Sequence, residues 1–481
     1  MTSKNDKYNI STHIFENGLR LIYEPPHTSL SITSINAFCD VGSVNEPDNL
    51  RGAVHFIEHM CFKGTKKIPK ASNIYLAYDD VGAILNAFTN KQYTRYMVKT
   101  AVDYTHNCID MMSDMMLNST FNHTEFVKEQ KVVTEETLRL ADNAAADVAN
   151  MADADIYSGT PYEWPVDTFA YHDNKQYDYK SVINLYHKYY HPNRIVLSIV
   201  SPLSFETIVG MVKKSYFSKK AKQLLDISFA MDYKGKAGRD FKGKVGSLNF
   251  ESEVGRDFKG TYGSLNLNFK NKPNTETTHL TISFRTCNMH SPDRFVLDVL
   301  QHILSGTFGS ILANLLREKN GLTYSSKADT AYYECSGDLT IYAQVNNRKL
   351  IKAGLNTKHN TTVSKKRTKS YKPGVLPLLL KLISNLVKHG VTEKELTVAK
   401  NNIHGKMIIG LEDSMTQSAH NGEKWLLYPD EKVVPLDQIY DVYVKPVTAK
   451  QVHDVIKKYF HNDNMYINIV GGLKTFDAYQ L

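Results

Sequence analysis

The sequence predicts an α+β fold of two similar α/β-sandwich domains, each an antiparallel-rich sheet with helices packed on it. The first observation is length, because 481 residues exceed what one hydrophobic core usually organises. The second is a repeat: KYYHPNRIVLSIV at 188–200 and KYFHNDNMYINIV at 458–470 carry Lys, Tyr, His, Ile and Val at matching places. The third is the alternation of strand and helix patterns in both halves.

The first half, 1–215, is the predicted N-terminal domain. A hairpin is predicted around Asn17-Gly18, because this dipeptide favours the tight turns that join antiparallel strands. Strand alternation is present at 83–90 and 92–102. Helical periodicity predicts four helices, at 52–62, 72–80, 103–117 and about 124–155.

The second half repeats this rhythm in a C-terminal domain, 276–481. Its predicted helices include 293–306, 375–389, 392–410 and 414–428. The intervening segment, 216–275, is predicted to be a linker, because GRDFKGKVGSLNF at 238–250 recurs as GRDFKGTYGSLNL at 255–267. A second polar insertion, 356–374, is expected to project into solvent.

Composition excludes several classes of protein. No stretch has the roughly 18 apolar residues of a membrane helix. The five cysteines are widely spaced without a C-x-x-C pair, so no disulfide framework is expected. The net charge of +8 comes largely from one basic segment without interleaved aromatic residues, which disfavours nucleic-acid binding. Because no clear presequence is present, we expect a cytoplasmic protein; a mitochondrial or related organelle matrix is the alternative.

The stretch HFIEHMCFKGT, 55–65, contains the chemistry-bearing motif. On a helix, positions four apart share one face, so His55 and His59 can present two imidazoles to one metal ion. Glu58 lies beside that face, which gives H-x-x-E-H, the inverse of the H-E-x-x-H zinc helix. The alternative is a helix with two surface histidines.

A catalytic zinc site needs a third protein ligand and an open position for water. The helical pattern at 124–155 offers three carboxylates, Glu129, Glu135 and Glu136. Glu129 and Glu136 are seven residues apart on one face, whereas Glu135 points roughly 100° away. One of the aligned pair can bind the ion while the other supports a ligand from behind. The alternative is an exposed acidic face.

GSVNEPDNLRGAVHFIEHMCFKGT, 42–65, resembles the zinc helix of the pitrilysin/insulinase metallopeptidases, particularly the β subunit of mitochondrial processing peptidase and its bacterial relatives. The family's third ligand lies about 76 residues beyond the second histidine, which counts to Glu135. Aligning KEQKVVTEE with the family pattern E-x-x-x-V-V-x-E-E instead selects Glu136. We therefore expect His55, His59 and Glu136 as ligands and Glu129 behind them.

The resemblance implies a zinc endopeptidase acting on peptides or presequences. One Zn²⁺ per chain would lower the pKa of a bound water, and Glu58 would take its proton as general base. GAILNAFTNKQYTRY resembles the family's substrate-binding edge strand, which implies that Asn86, Ala87 and Phe88 bind extended peptide. The alternative function is a non-catalytic core or scaffold subunit of a processing-peptidase-like complex.

LLREKNGLTYSS, 315–326, resembles a second family motif, in which Arg317 and Tyr324 correspond to a substrate-contacting Arg/Tyr pair. The family encloses its site in a clamshell of four such domains, so this chain would supply half of it. Both the zinc motif and the Arg/Tyr pair are present, so a homodimer is sufficient; a heterodimer with an α-like subunit is the alternative.

Overall fold

The computed structural model describes residues 2–5, 9–167, 177–219, 258–262, 265–355 and 371–472. Most of the tandem repeat and of the 356–374 insertion therefore lies outside the described residues. The chain divides into two compact units. The first contains Met1–Leu140, Trp164–Gly235 and Gly405–Ile439, and the second contains Ala141–Glu163, Lys236–His404 and Tyr440–Leu481.

The strands and α-helices alternate along the chain. The strands are β1 Thr2–Asn5, β2 Ile10–Ile14, β3 Arg20–Glu24, β4 Ile32–Cys39, β5 Ile84–Thr89, β6 Thr94–Ala101, β7 Ile195–Val200, β8 Phe258–Tyr262, β9 Leu265–Asn271, β10 Thr277–Thr286, β11 Thr323–Tyr332, β12 Gly337–Asn346, β13 Lys352–Leu355, β14 Tyr371–Pro373 and β15 Met465–Gly471. The helices are α1 Ala53–Met60, α2 Ala71–Asp79, α3 Thr105–Leu117, α4 His123–Ala141, α5 Ala144–Ile156, α6 Tyr179–Tyr189, α7 Phe205–Lys214, α8 Asp293–Ser305, α9 Val375–His389, α10 Glu393–Gly410, α11 Ser414–Leu427 and α12 Ala449–Tyr459.

The first unit contains a seven-stranded sheet in the order β1-β2-β3-β7-β4-β6-β5. All neighbours are antiparallel except β3 and β7, which are parallel. Inward-facing residues of β4, β6 and β7 pack against α1, α3, α6 and α7 in the main core. The alternation of side chains in a strand sends their neighbours to the opposite face, where Phe38 and Val196 meet Leu426 of α11.

The second unit repeats this arrangement with a six-stranded sheet, β11-β12-β10-β15-β9-β8. Its single parallel pair is β15 with β9, the counterpart of β7 with β3. The repeated sequence motif thus ends in strands that hold the same place in the two sheets. The α+β prediction of two similar domains is confirmed.

The helical pattern predicted as one element at about 124–155 is two helices, so that prediction is wrong. α4 ends at Ala141, and α5 begins at Ala144 after a break at 142–143. The side chain of Asn143 accepts a hydrogen bond from the backbone N–H of Ala145, which caps the new helix. Asparagine favours this cap position because its short side chain satisfies an otherwise unpaired helix N–H.

The break has a topological consequence, because α5 belongs to the second unit and α11, from the C-terminal half, belongs to the first. The units are therefore discontinuous in sequence, unlike the continuous segments 1–215 and 276–481. α11 contacts β4 and β7, and several of these contacts are polar. Ser34 and Ser414 hydroxyls lie 2.8 Å apart, and Asn36 Nδ2 donates to Ser418 Oγ at 2.7 Å.

Two expectations from composition can be compared with the structure. All five cysteines are free thiols, as their spacing predicts. Across the described ranges, no single helix has the length and apolar character to span a membrane; α9 and α10 satisfy that test only as a pair bent by 105°.

Candidate metal centre

α1 carries the H-x-x-E-H motif and is fixed at its N-terminus by a buried carboxylate. Gly52 precedes the helix with a positive φ of 83°, a conformation that glycine adopts without strain. The two carboxylate oxygens of Glu46 accept hydrogen bonds of 2.7 Å from the N–H groups of Gly52 and Val54. Burial raises the pKa of Glu46 to about 8, although those hydrogen bonds act in the opposite direction. Glu46 therefore anchors the first turn of α1.

The two histidines of α1 face each other through their Nε2 atoms, which are 3.2 Å apart. Their rings are nearly perpendicular, at 89°. Each Nδ1 atom, on the far side of its ring, meets a carboxylate. His55 Nδ1 lies 2.6 Å from Asp167 Oδ1, and His59 Nδ1 lies 2.9 Å from Glu129 Oε1. Both rings thus direct their second nitrogen to one point.

α4 supplies the third donor. The edge-to-face contact of Phe56 with Phe126, at 4.8 Å between ring centroids, packs α1 against α4. Glu136 Oε2 lies 3.7 Å from His59 Nε2. The predicted ligand atoms of the two histidines and this glutamate all lie within 4.8 Å of one another. Glu135 is exposed and does not belong to this cluster.

This donor set fits a zinc ion. Zinc binds imidazole nitrogen at about 2.0–2.1 Å, and a tetrahedral arrangement then separates two ligands by about 3.3–3.4 Å. The Nε2 separation of 3.2 Å is close to that value. Two neutral imidazoles and one carboxylate are also a donor set of known catalytic zinc sites. Carboxylates lie behind both histidines, where such ligands usually have an outer partner: Glu129 hydrogen-bonds to His59, and Asp167 forms an ion-pair contact with His55.

The electrostatics of the cluster favour a cation. Burial lowers the pKa of His55, but the hydrogen bond and charge of Asp167 outweigh it and raise that pKa to about 9. Burial raises the pKa of Glu129, but hydrogen bonds from His59 and Lys63 more than compensate and lower it below the usual range. The Lys63 ammonium lies 2.7 Å from Glu129 Oε2. His59 and Lys63 therefore favour the charged form of Glu129, and Asp167 favours the charged form of His55.

Glu58 lies in the same pocket with a defined orientation. Its side chain is only 6% exposed, and burial raises its pKa. Thr89 Oγ1 donates a 2.6 Å hydrogen bond to Glu58 Oε2. The bond occupies one lone pair of Oε2, and Oε1 is the other acceptor atom of the same carboxylate.

The pocket around these groups has a volume of about 480 Å³. One wall is the edge strand β5, which among the described strands pairs with β6 alone. Asn86, Ala87 and Phe88, the predicted peptide-binding residues, line it. The side chain of Asn86 accepts a 2.9 Å hydrogen bond from the backbone N–H of Ala87.

Arg317 and Tyr324, the other predicted substrate-binding residues, lie in the second unit and are absent from the lining of this pocket. Arg317 belongs to a π-helical turn, Ala313–Glu318, and its guanidinium lies over the Tyr324 ring at 5.9 Å. Tyr324 is 89% exposed, so its hydroxyl is accessible to a ligand. The structure therefore brings the two residues of this pair together.

Sequence reasoning missed three side chains of the cluster. Lys63 follows His59 by four residues, so helical spacing could have identified it. Thr89 is the last residue of β5, and its contact with Glu58 becomes visible only once β5 is packed against α1. Asp167 follows a short 3₁₀ turn, Pro161–Glu163, in an irregular segment where no periodicity marks functional residues.

Profiles of two protein domains match the chain. Residues 26–167 match the domain described as "Insulinase (Peptidase family M16)", and residues 176–403 match "Peptidase M16 inactive domain". The metal cluster lies entirely in the first matched region. The second matched region contains Arg317 and Tyr324.

Several named proteins are similar over most or part of the chain. The "Uncharacterized zinc protease YmxG" of Bacillus subtilis is 27% identical over 94% of this chain and 96% of its own. The mitochondrial-processing peptidase subunit beta of Caenorhabditis elegans is 31% identical over 42% of this chain and 43% of its own. The crystal structure of a protease from Helicobacter pylori superposes with a TM-score of 0.76, at 19% identity, over 96% of this chain and 99% of its own.

Proposed function

Because the chain belongs to the insulinase (M16) family of peptidases, we propose that it is a zinc-dependent endopeptidase that hydrolyses peptides or presequences in an enclosed chamber. The observation that carries this proposal is the convergence of one donor atom each from His55, His59 and Glu136 within 4.8 Å. Relatives named zinc proteases support the choice of metal.

The described side chains divide the work of hydrolysis among themselves. His55, His59 and Glu136 would hold one zinc ion, which supplies the Lewis acidity that polarises a peptide carbonyl and acidifies water. Glu58 acts as general base: its Oε1 takes a proton from the attacking water and then delivers it to the departing amine. Thr89 holds the other oxygen of that carboxylate and so fixes the direction of the transfer.

The edge strand β5 supports an extended peptide as the substrate. Such a peptide can add to the sheet as a further antiparallel or parallel strand, because in the part of the chain that the structure describes β5 has a sheet neighbour on one side only. The backbone groups of Asn86, Ala87 and Phe88 then bind main chain rather than particular side chains. Main-chain recognition suits an enzyme that acts on several sequences.

The proposal includes a role for the second unit and for assembly. Arg317 can donate to a peptide carbonyl, and the Tyr324 hydroxyl can stabilise a developing oxyanion. The full chamber would form on pairing with a second copy, or with an α-like subunit. The C. elegans relative named as a subunit of a processing peptidase supports a paired state.

The experiment is zinc analysis and hydrolysis of an unstructured fluorogenic peptide by the purified chain, with and without 1,10-phenanthroline. Glu58→Gln should retain zinc and lose about 10²–10⁴-fold in kcat, since a positioned base contributes that much. Glu135→Gln, an exposed neutralisation, is the control and should hydrolyse normally.

The alternative is a non-catalytic scaffold subunit. Residues 176–403 match a domain described as inactive, and a whole chain of that kind would be such a subunit. A scaffold would show no chelator-sensitive hydrolysis although it folds normally. Equal turnover by the wild type and Glu58→Gln would remove Glu58 from the proposed role.

A further inference from the structure

Asp167 provides a contact to the metal-binding histidines that no motif in the sequence indicates. Its Oδ1 atom lies 2.6 Å from His55 Nδ1. Asp167 follows the 3₁₀ turn and belongs to the first unit, together with α1. It is separated from His55 by more than a hundred residues, so the contact arises from folding and not from local chain geometry.

The contact determines which nitrogen of His55 is available. An imidazole with its proton on Nδ1 places that proton beside the Asp167 carboxylate, 2.6 Å away, and keeps an unprotonated Nε2. That Nε2 faces His59 Nε2 at 3.2 Å, where the proposed ion would be held. With the opposite tautomer, the Nδ1 lone pair would face the aspartate and the Nε2–H would point into the site.

The two histidines have matching but unequal supports. His59 Nδ1 is held by Glu129, and Glu129 also contacts Lys63 at 2.7 Å. The charge of Glu129 is therefore shared between an imidazole and an ammonium. Asp167 makes the shorter contact, and both acids belong to the lining of the same pocket.

We propose that Asp167 is a positioning residue of the metal centre, which orients His55, selects its Nδ1–H tautomer and thereby strengthens zinc binding. This inference rests on the proposed function, since it requires that His55 be a zinc ligand. A carboxylate that accepts the Nδ1–H of a ligating histidine also increases the basicity of the other nitrogen. Removal of such an outer partner typically weakens metal binding about 10–100-fold.

Two substitutions separate orientation from charge. Asp167→Asn keeps an acceptor oxygen for the Nδ1–H but loses the negative charge. Asp167→Ala loses both. Zinc affinity should therefore decrease in the order wild type, Asp167→Asn, Asp167→Ala, with Asp167→Ala about 10–100-fold weaker than the wild type. Asp80→Asn, which neutralises an exposed carboxylate of the same unit, is the matched control and should bind zinc as the wild type does.

The measurement uses metal-free full-length chain. Zinc affinity is determined by competition with a chromophoric chelator at one fixed pH, and the cobalt-substituted forms are compared by visible absorption. The cobalt spectrum reports the ligand field directly, so it should change in Asp167→Ala and not in Asp80→Asn. Thermal unfolding of the metal-free variants tests whether the fold is intact, and Asp167→Asn provides the result if Asp167→Ala does not fold.

The outcomes distinguish this inference from the function on which it rests. Wild-type chain that binds no zinc would refute the proposed function. Wild-type chain that binds zinc, together with Asp167 variants whose affinity lies within twofold of it, would overturn the role of Asp167 alone. A folded Asp167→Ala with weakened zinc binding but an unaltered cobalt spectrum would also overturn it, because the ligand geometry would then not depend on Asp167.

Discussion

Thr89 donates a 2.6 Å hydrogen bond from its Oγ1 atom to Oε2 of Glu58. This contact joins the last residue of the edge strand β5 to the acid that the motif places next to the second histidine. One hydrogen bond thus joins the strand proposed to bind substrate to the residue proposed to transfer the proton. A substrate that adds to β5 would therefore be positioned relative to Glu58 through the side chain of Thr89.

The first prediction tests this connection. Thr89→Val preserves shape but removes the donor, so Glu58 loses its fixed orientation. We expect kcat for a fluorogenic peptide to fall about 10–100-fold, the equivalent of a hydrogen bond to a charged group of about 1.5–3 kcal/mol. Zinc content should not change. Thr89→Ser retains the hydroxyl and should restore most of the rate; unchanged kcat in Thr89→Val would show that the contact is dispensable.

The second prediction concerns the choice between adjacent glutamates. Glu136→Gln should weaken zinc binding by more than the roughly 10–100-fold typical of an outer hydrogen-bond partner, because a ligand itself is lost. Glu135→Gln changes the same charge one position away, on an exposed face of α4, and should bind zinc normally. Chelator competition on both variants measures the difference. The reverse order would assign the ligand to Glu135.

The chemical motif could be predicted from sequence because it is local. His55, Glu58 and His59 are close on any helix, and the seven-residue spacing of Glu129 and Glu136 needs only helical geometry. Asp167 could not be found in this way, since its position depends on where an irregular segment returns to α1. Patterns that repeat along one element are visible in a sequence, whereas contacts between elements are not.

The limits of the helix prediction have a similar origin. Apolar periodicity continues through 124–155, so it does not reveal that Asn143 begins a new helix that packs in the other unit. The predicted bounds 1–215 and 276–481 assign α5 and α11 to the wrong units, because periodicity within a helix does not show which sheet the helix packs on. Part of what holds α11 on the first sheet is a set of polar contacts, such as that of Asn36 with Ser418, that carry no hydrophobic signal. They add to the apolar cluster that Leu426 forms with Phe38 and Val196.

The third prediction concerns pH and the docking of α11. Burial lowers the pKa of His420 to about 4, although the hydrogen bond from its ring to the Val434 carbonyl, at 2.8 Å, partly opposes this. In the unfolded chain His420 takes up a proton as the pH falls below about 6.5, whereas in the folded chain it does so only near pH 4. The stabilising contribution of neutral His420 is therefore complete above about pH 6.5 and decreases as the pH falls toward 4.

The measurement is the free energy of unfolding in urea at pH 7 and pH 4.5. Between these values the wild type should lose about 1–3 kcal/mol more than His420→Gln, which keeps a donor for Val434 but does not titrate. His123→Gln, which replaces an exposed histidine of α4, is the control and should behave as the wild type does. Parallel pH dependence of His420→Gln and wild type would contradict the assignment.

The last prediction concerns the close approach of α11 to the sheet. A Cβ atom at Gly422 would lie 2.3 Å from Phe38 Cε2 and 2.8 Å from Ser198 Cβ, shorter than side chains tolerate. Gly422→Ala should therefore push α11 away from β4 and β7 and reduce the free energy of unfolding by about 1–3 kcal/mol. Gly405→Ala places the same methyl group in α10, where nothing lies within 4 Å. That control should raise the free energy of unfolding by about 0.5–1 kcal/mol, because alanine favours a helix more than glycine does. The same glycine-to-alanine change should therefore raise the free energy of unfolding at Gly405 and lower it at Gly422. Equal effects of the two substitutions, measured by urea unfolding, would show that α11 does not need the contact at Gly422.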